Sequence, residues 1–378
     1  MTDREYAGRT IVTVNTGSSS VRLAAFVCGK ERSLALLAAE HHAVADVDAT
    51  EVLRHFMHAN VPDGVAAVAH RVVHGGQRLV NPCLLDAAAE REIARLAPLA
   101  PLHNPKALRW IGAAHSLLGD GVPQVGVFDT AFYAGLPEVA KTYAIPRALA
   151  DRHEIRRYGF HGLAHQAMWR RWQALHPERA RGARIITLQL GAGCSITAVA
   201  DGAPQDTSMG FSPLEGLVMS TRCGDVDAGL ISYLQRAEHW SPAEVDRVLS
   251  RESGLLGLSG SSGDMRVLLR AKDARARLAV DVYAYRARKY IGAYLAVLGG
   301  ADAIVFGGGV GEHAPVVRAA ILQQLEWAGV HLDASANETT LGQEGKISNI
   351  GSKIGVWVIP VDEQHILAQE ALAVIARR

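Results

Sequence analysis

The string Ile11-Val-Thr-Val-Asn-Thr-Gly-Ser-Ser-Ser20 recurs in the second half of the chain as Ile185-Ile-Thr-Leu-Gln-Leu-Gly-Ala-Gly-Cys194, and that recurrence constrains the fold more than any other feature. At one constant offset Ile11 aligns with Ile185, Thr13 with Thr187, Val14 with Leu188 and Gly17 with Gly191. Each copy runs into a second β-prone stretch, residues 21–26 and 195–199, so each unit reads as two strands joined by a turn of small residues. Two such units near the starts of two halves imply a duplicated α/β fold with a cleft between the copies. The competing reading is chance similarity between two hairpins.

Other segments agree with an α/β class. Short apolar runs at 65–73, 124–128, 303–306 and 356–361 read as strands between longer helical patterns. Residues 274–298 form the clearest helix, with Leu278, Val282, Tyr285, Tyr290, Tyr294 and Val297 near the helical period and Gly299-Gly300 able to end it. A length of 378 residues suggests two domains at about one per 150 residues. The change of domain is expected around residues 145–151, giving an N-terminal domain of 1–147 joined by a C-terminal helix at 364–378, and a second domain of 148–363.

Composition narrows the function classes. With 39 Lys and Arg against 38 Asp and Glu, the net charge is +1, so no global basic field draws nucleic acid or an anionic membrane, and a charged ligand must be held locally. The apolar region 291–310 is broken by Gly299, Gly300 and Asp302, as helix, turn and strand would be. Cys28, Cys83, Cys194 and Cys223 lack CxxC spacing, which fits a reducing compartment, and a cytoplasmic location is expected.

Several strings carry possible chemistry. The Asn15 to Ser20 turn follows an apolar strand; its small residues would let backbone N–H groups approach phosphate, and Asn15 could orient a metal-bound water, although a plain hairpin turn also uses Asn and Gly. Gly191-Ala192-Gly193 has the same permissive backbone. A third turn, Phe306-Gly-Gly-Gly-Val-Gly-Glu-His-Ala314, suits phosphate or nucleotide at a helix start, while its match to a dinucleotide fingerprint lacks an acidic partner. Arg71 and Arg222 sit in Gly-containing strings, and two guanidinium forks would suit a phosphorylated carboxylic acid; each could equally be a surface ion pair. Asp129 closes a strand, where open α/β sheets face their ligands, or is a helix N-cap. The pairs His70/His74 and His161/His165 have i,i+4 spacing but no evident third metal ligand, so hydrogen-bonding histidines are favoured. Asp362 or Glu363 could hold Mg²⁺ through water, or both could favour a helix N-terminus.

Taken together these strings resemble the acetate kinase family, within the acetate/sugar kinase and actin-like superfamily of duplicated ribonuclease H-like folds. The resemblance runs from residue 11 to about 366 through His70-Arg-Val-Val-His-Gly-Gly76, Ala100-Pro-Leu-His-Asn-Pro105, Val127-Phe-Asp-Thr-Ala-Phe132, Arg156-Arg-Tyr-Gly-Phe-His-Gly162, Asp206-Thr-Ser-Met-Gly-Phe-Ser-Pro-Leu-Glu-Gly216, Thr221-Arg-Cys-Gly-Asp225 and Ser253-Gly-Leu-Leu-Gly257. It implies reversible transfer of the ATP γ-phosphoryl group to acetate, with Mg²⁺ (Mn²⁺ as an alternative) and ATP/ADP as co-substrate, in a homodimer. It further implies that Arg71, Asp129, His161 and Arg222 serve the transfer and that Val73, Leu102, Phe160 and Pro213 surround the methyl group. Ser18, Arg22, Gly191, Gly193, Asp264, Arg266, Gly307, Gly308, Gly309, Val310, Gly311 and His313 would contact nucleotide, and Asn15 and Glu363 would position the metal. The chain departs from the family's usual strings at Gln189 and Ala192 (usually His and Asn), at His313 (usually Asn) and at Tyr133 (usually His). These departures bear on the phosphoryl donor, with pyrophosphate as the alternative to ATP. Propionate or butyrate kinase activity, or a nucleotide-binding regulator on the same fold, are the other readings.

Overall fold

The computed structural model describes residues 6, 8–17, 20–43, 48–61, 64–179 and 181–377. Its chain divides into two compact units, the first holding the described residues of Met1–Ala134, Phe160–Leu163 and Asp362–Arg378, the second Gly135–Gly159 and Ala164–Val361.

In the first unit, β1 (Thr10–Thr16), β2 (Ser20–Cys28), β3 (Leu34–Ala43), β4 (Val65–Val72), β5 (Cys83–Leu84) and β6 (Gln124–Phe128) form one mixed sheet in the order β3-β2-β1-β4-β6-β5. β1 pairs antiparallel with β2 and parallel with β4, and β4 pairs parallel with β6. In the second unit, β7 (Arg184–Leu190), β8 (Cys194–Ala200), β9 (Ala203–Thr207), β10 (Ala303–Gly307), β11 (Gly345–Lys346) and β12 (Gly355–Val358) take the order β11-β12-β10-β7-β8-β9. Read from β7, that is the same plan: an antiparallel meander on one side, two parallel strands on the other and a short antiparallel strand at the far edge. The sequence repeat is therefore a repeat of topology, and the fold is the duplicated two-unit α/β arrangement.

Parallel strands are buried on both faces, so they read as unbroken apolar runs, as β6 and β10 do. In the first unit Val12, Val14, Leu23, Phe56 and Trp110 form one hydrophobic cluster, while Val72, Leu85, Ile93, Ile111 and Phe128 form another. The Glu363–Ile375 helix packs on β1, β4 and β6. It buries Ile366, Leu367, Ala371 and Ile375 there.

The Ala274–Leu298 helix has the predicted limits, opened by the Asp273 side chain on the Ala276 N–H and closed at Gly299. Its buried face differs from the predicted one. Ala276, Ala279, Tyr283, Ala284, Ala287, Ile291 and Tyr294 turn inward, whereas Leu278, Tyr285 and Val297 are 54%, 58% and 49% exposed. Alanines on the inner face let neighbouring backbone approach closely, a signal that a search for large apolar residues passes over. The 356–361 run is a strand only to Val358; the Ile359 N–H makes one more bond to the Phe306 carbonyl of β10, and Pro360, which has no N–H, follows. None of the described helices is long and apolar enough to cross a membrane, and all four cysteines are free.

His165 is fully buried, with Nδ1 against Thr187 Oγ1 at 2.7 Å and Nε2 against Ser195 Oγ at 2.8 Å, and desolvation lowers its pKa from 6.5 to about 3. His70, fully desolvated but bonded to Gln124 at 2.8 Å, falls to about 4. Below pH 6.5 the unfolded chain binds protons that these folded imidazoles refuse, so their stabilisation is complete above that pH and is lost as the pH falls toward the folded values. Urea unfolding between pH 7 and 5 should show His165→Gln with a shallower pH dependence than wild type, by up to about 1.4 kcal/mol per pH unit, the slope of one proton. Identical slopes would place His165 outside this linkage.

Candidate active site

The carboxyl ends of adjacent parallel strands gather side chains from distant parts of the chain. In the first unit Asn15 is the penultimate residue of β1, Arg71 lies near the end of β4, and Asp129 directly after β6. The Arg71 fork engages Asp129 through Nε (3.2 Å to each carboxylate oxygen) and Nη2 (2.7 Å to Oδ2). Its Nη1 donates to Asn15 Oδ1 at 3.1 Å, and Asn15 Nδ2 donates to Glu363 Oε2 at 2.8 Å. Arg71 is thus in a buried ion pair, not a surface one, and Asp129 serves that pair while also accepting from the Leu163 N–H in the first turn of the Gly162–Leu175 helix. The two terminal acids divide their work: Asp362 caps the last helix through the His365 N–H, while Glu363 turns to Asn15 and lies 3.9 Å from Arg71 Nη1.

Burial pushes the Asp129 carboxyl up, against the pull of Arg71 and of the Leu163 N–H. Arg71 is equally desolvated, yet Asp129 and Glu363 outweigh that and raise its pKa, so the guanidinium keeps its proton. Beside this pair the backbone turns sharply. His161 has φ 58°, in the left-handed region, and a Cβ on Gly162 would stand 2.0 Å from the Asp129 carbonyl oxygen. Only glycine fits there, and the result is that His161 and Asp129 are held on neighbouring backbone. Tyr133, at the position of the family's usual histidine, donates its hydroxyl to the Phe160 carbonyl at 2.9 Å. Of the apolar residues expected around a methyl group, Val73 and Phe160 are buried, Phe160 edge-on to His74, and Leu102 is 40% exposed. Arg22 is an exposed residue of β2 in register with Asn15, and Ser18 falls outside the described residues.

In the second unit the same rule operates at β7 and β10. A cavity of about 700 Å³ is lined by Gly191 and Ala192 after β7, by Gly309, Val310 and His313 after β10, and by Asp264 and Arg266. Ser220, Thr221, Leu255, Gly263, Met265, Leu269 and Ala314 complete it. Of these, Thr221, Leu255 and Ala314 lie in strings quoted above, whereas Leu269 has no signal of its own in the sequence. Asp264 and Arg266 pair with each other at 2.6 Å.

The remaining glycines of the third turn do not line the cavity. Gly308, at φ 75°, opens the Gly308–His313 helix where a Cβ would meet the Leu190 backbone at 2.7 Å, and Gly307 and Gly311 are packed against Met168, Val361, Phe306 and Leu190. Gly193 closes the β7–β8 turn by accepting from the Gly191 N–H. Gln189 Oε1 is buried with no hydrogen-bond partner among the described residues. Arg318 was invisible in the sequence: fully buried, it donates to the carbonyls of Gly311, Glu312, Asn337 and Thr340 and to Asn337 Oδ1, fixing the end of the Gly308–His313 helix. Desolvation without a carboxylate partner lowers its pKa to about 10.

Arg222 differs from Arg71. Its Nη1 donates to the Pro213 carbonyl at 2.6 Å, and among the described residues no carboxylate pairs with it; desolvation accordingly lowers its pKa. Pro213 therefore meets Arg222 through its backbone.

Two sheets of one topology, each an antiparallel meander continued by parallel strands, define a protein of the duplicated ribonuclease H-like class. The profile of the Acetokinase family matches residues 7–369, and the chain belongs to that family. An acetate kinase of Chloroherpeton thalassium is 46% identical over 321 residues, which is 84% of this chain and 77% of that protein. The crystal structure of Porphyromonas gingivalis acetate kinase superimposes with a TM-score of 0.88 at 34% identity, covering 97% of this chain and 100% of the other. A propionate kinase from Francisella tularensis gives a TM-score of 0.86 at 33% identity, with the same coverage.

Removing Arg71 leaves Asp129 as a buried, unpaired carboxylate. Arg71→Ala should cost about 3–5 kcal/mol in urea unfolding, and adding Asp129→Asn should recover part of that loss. A single variant as stable as wild type would show the pair contributing nothing to folding.

Proposed function

We propose that the protein catalyses reversible transfer of the ATP γ-phosphoryl group to acetate, giving acetyl phosphate and ADP. A carboxylate is ionised at neutral pH, so one of its oxygens can attack phosphorus without a general base; the bond from phosphorus to the β–γ bridging oxygen breaks, and that electron pair leaves with ADP. The protein's task is then to bring two anions together and neutralise their charge. The observation that carries this reading is Arg222: a desolvated guanidinium whose partner among the described residues is a carbonyl, with no carboxylate, is a site suited to an anion.

In this proposal Arg222 and Arg71 hold the carboxylate and the moving phosphoryl group, His161 stabilises the developing charge, and Asp129 orients Arg71. The nucleotide would take the 700 Å³ cavity, with Asp264, Arg266 and His313 at its wall. Leu255, Met265, Leu269 and Val310 give that cavity apolar surface a nucleoside can use and pyrophosphate cannot, which favours ATP as donor. Asn15 and Glu363 offer an amide oxygen and a carboxylate, a donor set suited to Mg²⁺, which keeps several waters and takes few protein ligands. When bound, the ion would supply positive charge at the phosphate oxygens. Val73, Leu102, Phe160 and Pro213 would surround the methyl group. One added methylene is worth about 1–3 kcal/mol in such a pocket, so propionate is the nearest competing acceptor, a reading that the propionate kinase neighbour also favours. We assign the enzyme to the cytoplasm and expect a homodimer; the exposed Leu278, Tyr285 and Val297 give the long helix apolar surface for a second copy.

Hydroxylamine trapping of acyl phosphate, with acetate, propionate or butyrate against ATP or pyrophosphate, tests the reading. Acetate with ATP should be the best pair, and Arg222→Ala should lower kcat by about 100-fold or more while leaving the unfolding free energy near wild type. Nucleotide binding without any trapped product would point to a regulator instead.

A further inference from the structure

Arg222 is fixed at two places by two different loops. Its backbone turn is pinned by the Met219 N–H on the Arg222 carbonyl, the Ser220 N–H on the Ala192 carbonyl, the Cys223 N–H on the Leu249 carbonyl and the Ser253 N–H on the Thr221 carbonyl. Its charged end, in contrast, is held among the described residues only by the carbonyl of Pro213, on the segment 208–217. Whatever sets the height of that segment sets where the guanidinium points.

The segment is set by Glu215. Its Oε1 accepts from Arg157 Nη2 at 2.7 Å, and its Oε2 accepts from the Tyr143 hydroxyl. The Tyr143 oxygen accepts in turn from the Phe211 N–H at 2.8 Å, and Arg157 Nη1 reaches the carbonyl of Thr207 at 3.0 Å. Arg157 and Tyr143 thereby grip the segment before and after Pro213. Its far end is tied to the segment bearing Arg222 itself: the Gly216 N–H donates to Asp225 Oδ1 at 2.8 Å, and the Asp225 N–H donates to the Gly216 carbonyl at 3.0 Å. Asp225 is braced from the long helix by the Tyr290 hydroxyl at 2.8 Å and by Arg286 at 3.2 Å. The cluster thus anchors the segment on both sides of Pro213 in sequence: Glu215 meets Arg157 and Tyr143, Asp225 meets Arg286 and Tyr290, and Asp206 lies 4.0 Å from Arg157.

We infer that Glu215 is a positioning residue for Arg222, gripping the segment that carries Pro213 so that the free N–H groups of the guanidinium stay aimed at the anion. The inference rests on the role proposed for Arg222. It makes a demand that a purely structural role does not: the cost of losing Glu215 must pass through Arg222.

A kinetic double-mutant cycle tests this. Glu215→Gln and, with less disturbance, Tyr143→Phe are each made in wild type and in Arg222→Ala, and kcat is measured with nucleotide affinity by calorimetry. In wild type each should lower kcat by about 10-fold or more, as misplacement of a catalytic group does, with nucleotide affinity unchanged because the backbone turn at 219–223 has its own anchors. In Arg222→Ala the same substitutions should change kcat less than about twofold. If Arg222→Ala falls but the substitutions lower kcat by equal factors in both backgrounds, or leave wild type untouched, the inference is overturned while the role of Arg222 stands. If Arg222→Ala itself keeps wild-type activity, the proposed role fails and the inference with it. Should Glu215→Gln not fold, Tyr143→Phe alone completes the cycle, since it removes one hydroxyl and keeps the ring.

Discussion

A guanidinium and a carboxylate withdrawn from water hold each other in place only when nearly every donor and acceptor finds a partner. The Arg71–Asp129 pair meets that condition because three neighbouring parallel strands end close together, with Arg71 in register with Val127 and Asp129 two positions further on, within reach of the guanidinium. Lateral order in the sheet is what makes the site: residues far apart in sequence become adjacent because β1, β4 and β6 are neighbours running one way. The final helix completes it by delivering Glu363 to Asn15.

The two arginines show how charge is allotted. Arg71 is largely satisfied by its own unit, which makes it a rigid, permanently protonated element. Arg222 is desolvated and, among the described residues, meets a carbonyl and no carboxylate, so an anion placed there would gain more than beside an arginine already paired. Arg318 is a third solution, a guanidinium wholly surrounded by carbonyl and amide oxygens that serves the helix beside the cavity and has no group left for a ligand.

Much of this was legible in the sequence, for identifiable reasons. The repeat could be read because a β-hairpin needs the same alternation and the same small turn residues in each copy, and buried parallel strands such as β6 and β10 announce themselves as apolar runs. β3 could not be read that way: it is a half-exposed outer strand of the meander whose residues alternate only weakly. On the long helix Tyr294 is buried but Leu278, Tyr285 and Val297 are not, because much of the inward face is alanine, which a search for large apolar residues passes over. In the site, residue types gave Arg71, Asp129, Asn15 and Glu363 as candidates, but not that they bond to one another, since a carboxylate partner 58 residues away leaves no local mark. The division of labour between Asp362 and Glu363 was equally hidden, because either could cap the helix. The cavity wall from Ser220 to Leu269 and the Arg318 anchor depend on tertiary approach alone.

The placement of the Glu363–Ile375 helix has a kinetic side. It packs on β1, β4 and β6, so of the two units the one whose sheet is synthesised earlier is the one finished later, its strands at residues 10–128 waiting for a helix that begins at Glu363. The second unit, whose segments lie between Gly135 and Val361, is complete in synthesis before that helix emerges. During that interval the apolar surface destined for Ile366, Leu367 and Ile375 stays bare, so the sheet of the first unit reaches its final burial only when the helix docks.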